Sequence, residues 1–452
     1  MSSAPTLPRP ARRVSPGAGL ALTALTALLV FGTWAWVAHA RWSMPARGLG
    51  DHAPETLAGP PAAQPMQQPE PPATLAPARL AMPWVARGYS DLAPSLKHPA
   101  TAIEVAQGFA YIGSGTVLQV VDVRDTSAPR LLGRSTAADR PGAVFYAQDI
   151  VVSGSTAYMI SIDADAQANR VADNSVLLVF DVADPAAPRL VQDMGLREIA
   201  YTLFMQDGWL YVGGVRGESS RPAIAGLLAI QAQQSPLQRG HFVDTDLLPT
   251  DTARLDSQHM VLAGQVRTSS DKYRASLEEW RFEQPGRPAK LRGWVGPKNG
   301  PTWLTSVAVI RGRAYAVASD FGFSSIYVFD VSHGNAVDLV VELQIAGTEA
   351  CIASFLAATG TVGVALGHCP PSDGSHLFTY SPQDDSVPGG HLTAAPVGSI
   401  EFRSGPMHGF LKPIAVENDL LFILGGEGRD IDTLRIVDIS APDAPVVVGR
   451  WR

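Results

Sequence analysis

The chain has 452 residues, 46% of them hydrophobic and only 17% charged, with 42 Gly and 36 Pro, which suits a β protein with an ample core. The formal net charge is −7, and six arginines stand against three acids before residue 80, so the rest of the chain carries about −10. An acidic body of this kind excludes a nucleic-acid binder, whose phosphate partner demands a basic face.

Residues 1–17 carry Arg9, Arg12 and Arg13. Ala18 to Ala38 then form an uninterrupted apolar run, which as a helix reaches roughly 30 Å, one bilayer core. Basic residues ahead of an apolar span place the N-terminus in the cytoplasm and the body outside. Residues 18–40 therefore read as a transmembrane signal anchor, with Trp34, Trp36 and Trp42 at the outer interface. The rival reading is a cleaved signal peptide, because Ala38-His39-Ala40 is a small-x-small site and would release a secreted protein after Ala40. Arg12-Arg13 followed by Val14-Ser15-Pro16 is a poor twin-arginine signal. Residues 41–82 are rich in Pro, Ala and Gln without an apolar period, and read as a disordered, extended spacer with a reach on the order of 100 Å.

From residue 83 a unit repeats. Val117-Leu118-Gln119-Val120-Val121-Asp122-Val123 runs through Asp125 and Pro129 to Leu131-Leu132-Gly133-Arg134. Val176 to Val182 continues through Asp184-Pro185 and Pro188, Ile326 to Val331 leads to Leu339, and Leu434 to Ile439 leads through Asp443 and Pro445 to Trp451. Ahead of each copy lies an apolar run, a short turn and a second apolar run, as in Ile103 to Ile112 around Gln107-Gly108. Gly accepts the positive φ that tight hairpins need. Hairpin, connection and hairpin make four strands per unit, and a period of about 40–50 residues is a solenoid or propeller signature. Seven hairpin modules are counted, around Tyr111, Tyr158, Tyr211, Val261, Tyr315, Val364 and Phe422, the fourth being the weakest.

These copies resemble the LVIVD-repeat β-propellers, a bacterial family of exported proteins built on Leu-x-Val-x-Asp-Val-x-Asp-Pro-x-x-Pro. The copies centred on Asp122, Asp181, Asp330 and Asp438 match it well. Those from Leu227 to Pro236, Leu277 to Pro288 and Leu377 to Pro382 lack the Asp after the third strand. The expected fold is all-β: a seven-bladed propeller of four-stranded antiparallel blades over residues 83–452, preceded by one N-terminal transmembrane helix and the spacer. The recurring Asp reads as a corner residue that accepts backbone N–H groups. Pro83 to Tyr89 and Pro445 to Trp451 both look like outer strands, and one of them is expected to close the ring with strands from both chain ends.

Cys351 and Cys369 flank the sixth hairpin and fall roughly opposite each other, within disulfide range on paired strands of an exported protein. The connections between second and third strands vary most in length, so their face is the expected binding face. On it, Asp163, Asp165, Gln167 and Asn169 place oxygens at alternate positions as calcium loops do, with Asp173 beyond them, and without the mid-loop Gly and closing Glu of an EF-hand. His368, Asp373 and His376 have the donor types of a transition-metal site. Glu427, Arg429, Asp430 and Asp432 form a charged loop suited to a polar ligand. No catalytic residue is singled out, because nucleophile elbow, zincin, P-loop and haem motifs are absent.

The sequence therefore reads as a membrane-tethered extracytoplasmic propeller that serves as a non-catalytic scaffold for a partner protein of the cell envelope or for a ligand. No cofactor is called for, with Ca²⁺ the candidate at the Asp163 loop and a transition metal the candidate at His368, Asp373 and His376. The alternative is a propeller hydrolase or lactonase with a metal or carboxylate site at the channel mouth, for which Glu104 and Asp149 on inner strands are the nearest acids.

Overall fold

The computed structural model describes residues 100–136, 145–163, 175–216, 224–233, 236–268, 273–284, 286–320, 323–331, 336–345, 352–358, 363–368, 375–380, 391–394, 398–402, 414–424 and 434–451. The chain divides into two units, Met1–Pro83 and Trp84–Arg452, and every described strand belongs to the second.

Among the described residues the strands form seven sheets. The first holds β1 (Ala100–Ala106), β2 (Phe109–Ser114), β3 (Val117–Asp122) and β4 (Arg130–Thr136). The second holds β5 (Phe145–Ser153), β6 (Thr156–Asp163), β7 (Ser175–Asp181) and β8 (Arg189–Leu196). The third holds β9 (Glu198–Gln206), β10 (Trp209–Arg216), β11 (Ile224–Gln231) and β12 (Phe242–Thr245). The fourth holds β13 (Leu247–Arg254), β14 (His259–Arg267), β15 (Tyr273–Arg281) and β16 (Ala289–Val295). The fifth holds β17 (Trp303–Ile310), β18 (Arg313–Asp320), β19 (Phe323–Asp330) and β20 (Asp338–Ile345). The sixth holds β21 (Ile352–Ala358), β22 (Gly363–His368), β23 (Ser375–Tyr380) and, after the excursion of β24 (His391–Ala394), β25 (Gly398–Phe402). The last holds β26 (Ile414–Glu417), β27 (Leu420–Leu424), β28 (Leu434–Asp438) and β29 (Val446–Trp451).

The first strand of each sheet lies against the first strand of the next, from β1 through β5, β9, β13, β17 and β21 to β26 and back to β1. The molecule is a β-propeller, and these inner strands surround its axis. Six sheets are the expected four-stranded antiparallel blades; seven such blades were expected, and the fifth sheet departs from the pattern. Its outer strand β20 carries a fifth strand, β24, in parallel register, with Glu342 opposite His391 and Ile345 opposite Ala394. The cause is the long link between β23 and β25, which lets the chain reach the neighbouring blade before returning to its own.

Middle strands are apolar without alternation because each blade packs on two neighbours. Leu118, Val120 and Val121 of β3 and Leu177, Leu178 and Phe180 of β7 are all buried. Outer strands alternate instead, as in β8 and β16. The hairpin turns match the sequence reading: Gln107-Gly108, Asp207-Gly208 and Arg311-Gly312 have positive φ at both residues, the two-residue turn whose twist suits the strands.

The recurring Asp is a corner residue. Asp122 Oδ1 accepts the Arg124 N–H at 3.2 Å, Asp181 Oδ1 the Ala183 N–H at 3.1 Å and Asp438 Oδ1 the Ser440 N–H at 2.9 Å. Arg189 on the outgoing strand clasps Asp181 at 2.6 Å, and Arg130 reaches Asp122 at 3.4 Å. The next residue is buried, and its N–H returns to the blade's own hairpin: Val123 to Gly108 O, Val182 to Ser155 O and Ile439 to Asp419 O. Two blades lacking the Asp keep this backbone bond, through Ala232 to Gly208 O and Phe282 to Gln258 O. Each corner then seats on the preceding blade. Tyr158 donates its hydroxyl to Ala232 O, and the Tyr211 hydroxyl accepts the Gly286 N–H at 3.1 Å. Burial pushes the Tyr211 hydroxyl up to about 12.

β29 completes the last sheet, whose four strands are consecutive in the chain, while Pro83 to Tyr89 lies outside the described residues. Gly449 of β29 lies against Thr126 O in the first blade's corner, as Gly133 of β4 lies against Ala186 O in the second's. The apolar segment 18–40 and both cysteines also lie outside the described residues. Among the described residues no helix is long and apolar enough to cross a membrane. Ile352 and His368, the neighbours of Cys351 and Cys369 in sequence, are cross-strand partners.

Candidate functional site

The axis of the ring is where the inner strands bring polar groups together. These strands share a bulge: register shifts fall at Thr101 in β1, Gln148 in β5, Tyr201 in β9, Thr250 in β13, Thr305-Ser306 in β17 and Ser354 in β21. A bulge leaves one residue unpaired and re-aims the side chains beside it. Here it turns them across the seam to the next blade.

Two carboxylates are held this way. Asp149 is 2% exposed; its Oδ2 accepts the Leu203 N–H at 2.7 Å and the Thr202 hydroxyl at 3.2 Å, while Oδ1 accepts the Ile150 N–H at 2.9 Å. Asp251, at the same position two blades on, repeats the set: Val307 N–H at 2.9 Å, Ser306 hydroxyl at 3.0 Å and Thr252 N–H at 2.8 Å. The bulge hydroxyls add further stitches, Thr101 to Ala147 O at 2.6 Å and Thr250 to Leu304 O at 2.5 Å. Hydrogen bonds to a charged acceptor are stronger than neutral ones, so both acids bind blade to blade.

The same strands line an open pocket of about 570 Å³, within the usual size of a small-molecule site. Glu104, Asp149, Asp251, Leu203, Phe204 and Arg254 are among the residues that line it. Arg254 donates to Gln206 Oε1 at 2.7 Å, which fixes it near the hairpin end. The wall is preformed: its bulges and acids are already tied across the blade seams.

A second charged pair lies in the seam between the second and third blades. Glu198, fully buried at the start of β9, takes a hydrogen bond from Arg239. Burial pushes the Glu198 carboxyl above the ordinary carboxylate range, against the opposing pull of Arg239 and Arg216. Glu198 Oε2 and Arg239 Nη1 are buried without a hydrogen-bond partner.

The residues singled out from sequence fall as follows. Asp163 ends β6, and Asp165, Asn169 and Asp173 lie outside the described residues, as do Glu427, Arg429, Asp430, Asp432 and Asp373. His368 pairs with Ser375 and His376 with Gly367, so the two histidines are not cross-strand partners. Among the described residues no group of three or more His, Cys, Asp or Glu is placed to hold a metal ion. Glu104 is half-buried on the pocket wall. Asp149, one of the nearest acids for a hydrolase site in the sequence, is buried and bonded across a blade seam. Asp251 and the Glu198–Arg239 pair were not found from sequence. Their only signal is a charged residue inside or at the edge of a strand whose partner lies some 40 to 55 positions away.

The LVIVD repeat family matches residues 99–136, the first blade, and 430–452, the last two strands of the last. The chain therefore carries LVIVD repeats and folds as a β-propeller. No curated protein matches it. Among solved structures it is similar to a hypothetical selenium-binding protein from Sulfolobus tokodaii, at 10% identity and TM-score 0.46, covering 65% of this chain and 75% of that one. It is also similar to a chain of a Saccharomyces cerevisiae assembly of dbp5 with nup159 and gle1, at 12% identity and TM-score 0.42, covering 73% and 88%.

Proposed function

We propose that this chain is a binding scaffold: a propeller on the outer side of a membrane, anchored by residues 18–40, spaced by residues 41–82, and presenting its variable loops to a partner protein of the cell envelope. One observation carries the non-catalytic part. Asp149 and Asp251, the buried acids of the axial wall, each accept a backbone N–H and a hydroxyl from the next blade, besides an N–H from the following residue of their own strand. A general acid or base has to exchange its proton with a substrate. These carboxylates are committed to the frame, which supports a rigid ring with recognition placed on its loops.

The loops around Asp163 to Asp173 and Glu427 to Asp432 are the contact face in this reading. The pairing of Ile352 with His368 supports a disulfide between Cys351 and Cys369 one step outward, and loss of free-thiol titre without reductant tests it. The functional test is a pull-down from cell-envelope extract with the full-length chain in mild detergent, beside a variant with residues 163–175 and 425–433 shortened. The scaffold reading expects a specific protein retained by the intact chain and lost by the variant. If both folded baits retain nothing, and the intact chain turns over ester or lactone substrates, the hydrolase alternative replaces it.

A further inference from the structure

The fifth strand of the fifth sheet stands apart from all other described pairings. Every other strand pairs antiparallel and within its own blade; β24 pairs parallel, with the outer strand of a neighbour. Parallel pairing is slightly weaker per residue. β24 is also short: its four residues cover Glu342 to Ile345, half of the eight-residue β20. The other half, Asp338 to Val341, has no outer partner among the described residues, and Leu339 there is 36% exposed. Among the described residues, the ladder to β20 is the one strand pairing β24 makes. Four ladder residues gain little more than ordering them costs, and such segments open locally far more readily than the ring.

An outer sheet edge is a ready template for an added strand, which proteins normally protect. Here the chain itself shows the edge being used, with an uncharged sequence, Leu392-Thr393-Ala394, following His391. We propose that the outer edge of β20 is a strand-acceptor site, and that an extended, uncharged segment of a partner protein adds to it in parallel by displacing β24. β20 is bulged at Val340, so a partner strand longer than β24 extends the ladder from Glu342 to that bend, beyond which Leu339 lies. Main-chain hydrogen bonds would supply the affinity and the exposed apolar position the preference, as in other strand-addition interfaces. The inference rests on the scaffold reading for the existence of a partner, and adds the place and manner of its attachment.

The test uses the chain's own segment as the probe, so it does not depend on finding a natural partner. A fluorescent peptide of residues 389–397 is titrated against the full-length protein and against a variant carrying both Leu392→Pro and Thr393→Pro. Successive strand residues face opposite ways, so one of the two prolines removes a ladder donor whichever points at β20. The expected result is at least tenfold tighter binding to the variant, whose edge is vacated, and no binding by a peptide carrying the same two prolines. Equal affinity for both proteins, or no binding to a variant whose circular dichroism and melting match the parent, overturns the proposal. Failure of the envelope pull-down alongside tighter peptide binding would reject the scaffold reading and leave the acceptor edge standing.

Discussion

Gly449 offers the most demanding test of ring closure. A Cβ built on it would lie 1.8 Å from Thr126 O and 2.9 Å from Thr126 C, and 3.3 Å from Ile436 Cδ1. Side-chain carbons essentially never approach other atoms closer than 3.0 Å, so β29 and the first blade's corner would have to part by more than an ångström. The obstacle is backbone, and no rotamer relieves it. Overpacking of this kind costs about 1–3 kcal/mol, and Gly449→Ala is expected near the upper end, about 3 kcal/mol. Gly133, whose Cβ would meet Ala186 O and Pro188 Cδ at 2.5 Å, makes the same contact one seam along with less overlap, and Gly133→Ala should cost about 1–2 kcal/mol. Gly195, on the outer strand β8, has no neighbour within 4 Å of its Cβ position among the described residues, so Gly195→Ala should be neutral within about 0.5 kcal/mol. Urea unfolding followed by tryptophan fluorescence ranks the three, with Trp451 two residues from the first substitution. If Gly449→Ala is as stable as Gly195→Ala, the outer strand of the last blade does not seat on the first blade's corner, and the closure described above is wrong.

Other expectations follow from the charged groups. The hydrogen bond from the Arg124 guanidinium holds the Asp122 carboxyl well below the usual carboxylate range. A carboxyl lowered in the folded state stabilises above its unfolded value of about 4 and loses that contribution as pH falls below it; Asp122→Asn should therefore flatten the stability profile between about pH 4 and 2, read by acid titration of the melting temperature. Arg239→Ala strands the buried Glu198 carboxylate and should cost about 3 kcal/mol at pH 8. Because burial raises the Glu198 value, the stranded group takes up a proton more easily, so the cost should shrink at pH 5; equal losses at both pH values would contradict this. Adding Glu198→Gln to Arg239→Ala should recover part of the pH 8 loss, since it replaces the stranded charge with a neutral amide.

The repeat was legible because its corner is local. Asp122, Asp181 and Asp438 bond the N–H two residues on, and the turn Gly residues act through their own φ, so short sequence windows carry both signals. The blades without the Asp were legible only by spacing, although Ala232 and Phe282 make the same backbone bond with different side chains. What escaped the sequence depends on distant partners. Asp149 reads as a channel acid until Leu203, 54 residues away, is seen to donate to it. Asp251 does the same through Val307, in a different local sequence, so no shared motif marks the pair. The parallel pairing of His391 to Ala394 with the neighbouring blade has no local signature either, because four residues in a long link look like any other loop. The loop-borne candidates, from Asp165 to Asp432, fall outside the described residues, and the structure neither gathers nor separates them.

In the proposed scaffold the axial acids serve the frame and leave recognition to the surface. The measurement that bears on it most directly is urea unfolding of Asp149→Ala, Asp251→Ala and the double variant. Each substitution leaves one backbone N–H and one hydroxyl of the next blade, and one N–H of its own strand, without that acceptor, an expected loss of about 2–4 kcal/mol. The hydrogen bonds described for the two acids lie in different seams, so the double variant should lose the sum within about 0.5 kcal/mol. Single variants as stable as the parent would free both carboxylates for chemistry at the axis and remove the ground for reading this propeller as a scaffold.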